Sequence, residues 1–169
     1  MKKSKKAKNT LVLSLITLVV AVAVFVMMFL PAVAYKDTDY TIVGSKIAFG
    51  GTIQAVGSLA SSSVKLNLFA LLAFLLPVIV AVIDLLVKIL KSKLSKVTTL
   101  LLIVAFLVSV IGLFTILSIT NVSVTVLGVE QVGKLGEGYK LGTGAIIGGV
   151  LAIVGLLVSS TDLVLQIKK

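Results

Sequence analysis

The chain has 169 residues, of which 59% are hydrophobic and only 13% charged. A water-soluble domain carries about 25% charged residues, so this composition does not supply a water-exposed surface, and a lipid bilayer is the expected solvent. The net charge of +10 comes with no His and no Cys, which excludes imidazole bases, thiol nucleophiles, disulfides and thiolate metal sites.

All 16 basic residues are Lys and none is Arg, which rules out bidentate guanidinium clamps on phosphate or carboxylate. The same bias points to a low-GC bacterial source. Nucleic acid is not the expected partner, because most of the lysines sit in short segments beside apolar runs. Trp is absent, leaving Tyr35, Tyr40 and Tyr139 as the aromatic residues suited to a membrane interface.

Residues 1–9 hold five lysines, and residues 10–35 carry no charge. About 20 apolar residues cross a ~30 Å hydrocarbon core, so 10–35 is the first predicted span. Ala32-Val33-Ala34 has the form of a signal-peptidase site. A signal-peptide core is usually about 7–15 residues and this run is longer, so residues 1–34 are expected to stay as an anchor. Residues 36–65 form a polar loop rich in Gly and Ser. Within it, residues 40–49 mix β-branched and aromatic side chains around Gly44-Ser45 and predict a hairpin. Gly50-Gly51 and Ser61-Ser62-Ser63 read as turn or hinge material.

Residues 66–90 are the second predicted span, with Asp84 and Lys88 one helical turn apart inside it. Pro77, near its middle, removes an N–H and frees a backbone carbonyl. Residues 91–98 make a basic connection short enough to impose an antiparallel helical hairpin. Residues 99–120 are the third span, with Ser109 and Gly112 on nearly one face. In the second loop, residues 121–140, Val122, Val124 and Val126 alternate with Ser123 and Thr125. That period of two predicts a strand over 122–126, expected to pair with the hairpin in a small external sheet. Residues 141–167 are the fourth span, followed by Lys168-Lys169.

Lysine placement sets orientation. Segments 1–9, 91–98 and 168–169 hold ten lysines and no acid, whereas loops 36–65 and 121–140 hold five lysines offset by Asp37, Asp39, Glu130 and Glu137. The positive-inside rule puts the lysine-rich segments in the cytoplasm and both loops outside. The expected fold is an all-α membrane protein: one domain, a bundle of four transmembrane helices, with a small extracytoplasmic β element made of hairpin 40–49 and strand 122–126.

Asp84 lies seven residues before Lys91, and Asp162 six before Lys168. At 1.5 Å per residue both sit ~9–10 Å from the inner lysines. Ser14, Thr17 and Ser159 fall at similar depth, whereas residues 101–104 of the third span are apolar. One polar layer of Asp84, Lys88, Asp162, Ser14, Thr17 and Ser159 is therefore expected, shared by spans one, two and four. Two readings follow. Either the acids form a cation or proton site gated by Lys88, or Lys88 pairs with Asp84 and snorkels outward while Asp162 bonds to nearby hydroxyls. Separately, Gly144, Gly148 and Ala152 make a small-residue face suited to close helix packing, within the bundle or between copies.

Gly133-Lys134 lies in a glycine-rich stretch, but Leu135 stands where a phosphate loop needs Ser or Thr. The basic residues 1–9 suit anionic lipid headgroups at about 1 kcal/mol per Lys. With its strand-bearing first loop and a strand after the third span, the layout resembles that of claudin-type tetraspan proteins. The tryptophan signature and paired cysteines of that family are missing, so no residue role is carried over. No nucleophile–base pair, metal cluster or cofactor motif appears, so an enzyme is not expected. The favoured function is a non-enzymatic interaction or assembly component of a bacterial plasma membrane, meeting a membrane-protein partner or a second copy. The alternative is a small ion or solute permease component using Asp84 and Asp162.

Overall fold

The computed structural model describes residues 2–36, 39–56, 60–135 and 138–167. Asp37, Glu137, Lys168 and Lys169, used above for orientation, lie outside the described residues, as do the side chains of residues 2–8. Over these described residues the chain is mostly helical, with four helices long and apolar enough to cross a membrane, plus two small sheets.

The long helices are α1 (Lys2–Val26), α3 (Leu68–Ile89), α4 (Ser95–Phe114) and α6 (Thr143–Ile167); α2 (Gly44–Phe49) and α5 (Ile116–Ile119) are short. Each long helix packs on two others, in the order α1, α3, α4, α6 and back to α1. Their outward faces are rows of exposed Leu, Ile and Val. Inside, fully buried Val24, Phe74, Leu102, Phe106 and Leu113 fill the middle of the ring.

Two sequence features explain how α3 and α4 meet. Pro77 lacks the N–H that would bond the carbonyl four residues earlier, at Ala73. The Ser109 hydroxyl donates to that Ala73 carbonyl across the helix pair. Gly112, one turn further along α4, admits the approach, since a Cβ there would lie 2.6 Å from the Ala73 Cβ.

The first span is shorter than expected. α1 ends at Val26, a 3₁₀ turn covers Met27–Phe29, and Pro31–Tyr35 is strand β1. Proline bars the preceding residue from helical backbone angles, and Leu30 is extended at φ −95° and ψ 164°. Ala32 and Val33 are fully buried in β1, the middle strand of a three-stranded sheet, so cleavage after Ala34 would remove its centre. That sheet runs β2 (Thr41–Val43), β1, β7 (Tyr139–Leu141), antiparallel throughout.

The predicted hairpin over 40–49 is not present. Thr41–Val43 pairs with β1, and Gly44-Ser45 opens helix α2 instead of closing a turn. Ile47 and Ala48 are both fully buried within α2. Gly50 stops α2 with a left-handed φ of 79°.

The strand predicted over 122–126 is β5 (Asn121–Val126), but its partners differ from expectation. It lies between β4 (Ala60–Val64) and β6 (Val129–Lys134), and β3 (Gly51–Val56) completes a four-stranded antiparallel sheet. The serines read as hinge material are therefore strand, with Ser63 and Ser123 hydroxyls 2.9 Å apart across the ladder. The turn between β5 and β6 is Leu127-Gly128, with φ of 50° and 84°. Positive φ at both positions marks the turn whose twist suits a two-residue hairpin.

Of the remaining boundaries, the second span begins at Leu68, where the Asn67 side chain caps the helix by accepting from the Ala70 N–H at 3.0 Å. The third predicted span divides into α4 and α5 at Thr115. The fourth starts at Thr143, because Leu141 belongs to β7.

Candidate functional site

A buried ionic cluster lies near the α3–α4 turn, and all four long helices contribute to it. α3 supplies Asp84 and Lys88, which share a face because they are four residues apart. The Lys88 ammonium has three protons and three acceptors: Asp84 Oδ2 at 2.7 Å, Ser14 Oγ of α1 at 2.6 Å, and Asp162 Oδ2 of α6. Ser14 in turn donates to Asp84 Oδ2 at 2.9 Å. On the other oxygen, Asp84 Oδ1 is 2.8 Å from both Thr98 Oγ1 and Thr99 Oγ1 of α4. Asp84 is 0% exposed and Asp162 2%, and the Lys88 side chain is 5% exposed, so the charges are shielded from solvent.

The cluster corrects two expectations. Lys88 does not snorkel to the surface; it turns inward and bridges both acids. Nor is α4 apolar at this depth. The chain leaves α3 through a compact turn, with Lys91 at φ 51° and the Ser92 N–H bonded to the Val87 carbonyl at 3.0 Å. Helix α4 then starts at Ser95, so Thr98 and Thr99, rather than residues 101–104, stand opposite Asp84. The sequence does contain this signal, since two adjacent threonines in the first turns of an otherwise apolar span place a hydroxyl on the inner face.

Gln166, one turn after Asp162, was not singled out from sequence. Its amide nitrogen donates to Thr99 Oγ1 at 2.9 Å, and its carbonyl oxygen accepts from Ser95 Oγ at 3.2 Å, tying α6 to α4. Thr17 and Ser159 are buried but stay outside the cluster, because their hydroxyls donate to carbonyls of their own helices, at Leu13 and Gly155. Among the described residues there is no group of three or more His, Cys, Asp or Glu side chains placed to hold a metal ion.

The small-residue face of α6 is used within the chain. A Cβ at Gly144 would lie 2.8 Å from the Met27 carbonyl oxygen, and one at Gly148 3.1 Å from Leu113. Ala152 is fully buried on the same helix.

The other end of the bundle carries the two sheets. Tyr35, Tyr40 and Tyr139, the chain's three tyrosines, converge with Gln54 around a cleft of about 430 Å³. Tyr35 and Tyr139 meet edge to face with ring centres 5.1 Å apart, and Tyr40 donates to the Ile53 carbonyl at 3.3 Å. Burial, with a smaller contribution from Tyr139, pushes the Tyr40 hydroxyl above its ordinary range. Just past β4, Lys65 pairs with Glu130 of β6 at 3.0 Å, and bonds from Lys65 and Ser123 hold the Glu130 carboxyl below the usual glutamate range. Every residue of β6 is exposed, and so are Val124, Val126 and Leu127.

Comparison with known proteins finds no matching family model, no matching curated protein and no matching solved structure.

Proposed function

We propose that this chain is a multi-pass plasma-membrane protein, its four long helices in hydrocarbon, its lysine-bearing turns in the cytoplasm and its two sheets outside. The placement of lysine supports that orientation, and the apolar outer faces of the helices support the insertion. Within that frame the function is non-enzymatic: an interaction or assembly component that meets a membrane-protein partner or a second copy through its outer sheet. The lysines of residues 1–9 add a contact with anionic lipid.

One observation carries the assembly reading. Lipid accounts for exposed Leu and Val on the helices, but at the opposite end to the lysine turn the β5–β6 hairpin presents exposed Val124, Val126 and Val129 on one face, with exposed Leu127 at its tip. Leu127, 75% exposed, also occupies a left-handed turn position that a glycine or asparagine fills more cheaply. Contiguous exposed apolar side chains outside a membrane mark a contact surface. The competing reading, a small ion or solute permease built on Asp84 and Asp162, needs a polar route through the bundle, and buried Phe74, Leu102 and Phe106 occupy that middle.

A photocrosslinking residue at Val129 in native membranes tests the assembly reading, with the lipid-facing Leu157 as control. A discrete protein adduct at Val129, absent at Leu157, is the expected result. Equal, diffuse labelling at both positions would overturn it.

A further inference from the structure

Two carboxylates and one ammonium leave the buried cluster one positive charge short. Its other members are the hydroxyls of Ser14, Thr98 and Thr99 and the Gln166 amide, which orient the charges without balancing them. Among the described residues, ion pairs to either acid come only from Lys88, whose three protons are all committed. Asp84 has both oxygens occupied, whereas Asp162 does not: its Oδ1 is buried and has no hydrogen-bond partner among the described residues. A buried carboxylate oxygen without a donor is costly, and an unbalanced charge beside it more so.

The cluster also borders a cleft, on the side of Lys88. A cleft of about 210 Å³, lined by Leu11, Lys88, Lys91, Ser92 and Ser95 among others, opens at the lysine-bearing turn and reaches the cluster at Lys88. Toward the opposite end the bundle is filled by Val24, Phe74 and Phe106. Lys91 lines this mouth without pairing to either acid, so it does not balance the fixed charge.

We infer that the cluster is a binding site for one further monovalent positive charge, taken up at Asp162 Oδ1 from the cleft at the lysine-bearing turn. The inference is independent of the assembly reading, because it concerns the opposite end of the molecule. Two ions supply such a charge. A proton needs only the single uncommitted oxygen, whereas an alkali cation requires additional oxygen ligands. Lys88 acts as a fixed counter-charge rather than a gate, because removing it would leave a deficit of two.

The test is infrared spectroscopy of the full-length chain in lipid nanodiscs at neutral pH, with and without sodium or potassium replaced by choline. If the ion is a proton, the wild type shows one carboxylic-acid C=O band that shifts in D₂O. That band disappears in Asp162→Asn, and also in Asp84→Asn, where Lys88 and the remaining acid balance. In Lys88→Gln its intensity doubles; should that variant fail to fold, the two Asn variants carry the test. If the ion is an alkali cation, no acid band appears, and replacement by choline lowers the melting temperature of the wild type but not of Asp162→Asn. A wild type with neither an acid band nor a choline effect overturns the inference. So does a band that persists in Asp162→Asn.

Discussion

Ser109→Ala is expected to destabilise the bundle through a carbonyl that Pro77 has deprived of its ordinary donor. The Ser109 hydroxyl donates to the Ala73 carbonyl, and both Ser109 and Ala73 are fully buried. A buried acceptor left without a donor costs about 1–3 kcal/mol. Hydrogen bonds between membrane helices average only about 0.6 kcal/mol, because separated helices find partners of their own. Pro77 denies Ala73 that partner even in the isolated helix, so the expected loss lies toward the upper measured values, about 1–2 kcal/mol. Pro77→Ala restores an N–H able to reach Ala73, and in that background Ser109→Ala is expected to cost less than about 0.5 kcal/mol. The assay is a double-mutant cycle on reversible unfolding in mixed detergent micelles. Equal costs in the two backgrounds would refute the reasoning, since the serine would then be unrelated to the proline.

At pH 8, Lys88→Met is expected to cost about 3–5 kcal/mol, because it leaves both buried acids without their cation, each to be protonated or to bear an unpaired charge. In an Asp84→Asn/Asp162→Asn background the same change is expected to cost less than about 1 kcal/mol, measured by the same unfolding equilibrium. Gly144→Ala sets a methyl against the Met27, Leu30 and Pro31 carbonyl oxygens, each within 3.0 Å of the added atom, and is expected to cost about 1–3 kcal/mol by thermal unfolding in detergent. Glu130 gives a pH dependence of stated sign. Its folded carboxyl lies below the ordinary value of 4.5, so its contribution is present above that value and lost as pH falls through the lower folded value. Amide exchange of β5 and β6 is expected to quicken on acidification below 4.5, and that acid-dependent change is expected to shrink in Glu130→Gln.

Much of the helical part was legible because it rests on length and composition. Four charge-poor runs of about 20 residues or more have one simple arrangement, and the basic segment between the second and third leaves room only for a tight turn. Within the site, the spacing of Asp84 and Lys88 placed both on one helix face, and depth counting brought Asp162 and Ser14 to the same level. Counting failed for α4, because the level of a residue depends on where its helix starts. The compact turn at Lys91 moved that start to Ser95 and brought Thr98 and Thr99 beside Asp84. Gln166 was missed because a polar residue at the end of a span reads as interfacial until its partner on another helix is known.

The β part was less legible because strand identity there comes from neighbours. Ser61-Ser62-Ser63 has low strand propensity, and it becomes strand because β3 and β5 pair with it on either side. Residues 40–49 failed in the opposite direction. Their β-branched and aromatic content suited a strand, but only Thr41–Val43 is strand and Gly44–Phe49 forms α2. Only β5, with its strict alternation of valine against serine and threonine, carried its own signal.

Single-cysteine mapping tests the membrane arrangement most directly, because the chain has no cysteine of its own. Ser92→Cys stands in the α3–α4 turn and Leu127→Cys at the tip of the β5–β6 hairpin. With a membrane-impermeant maleimide, Leu127→Cys should label in intact cells and Ser92→Cys only after permeabilisation. Labelling of both in intact cells, or of neither until permeabilisation, would contradict a bundle that holds those two positions on opposite sides of a bilayer.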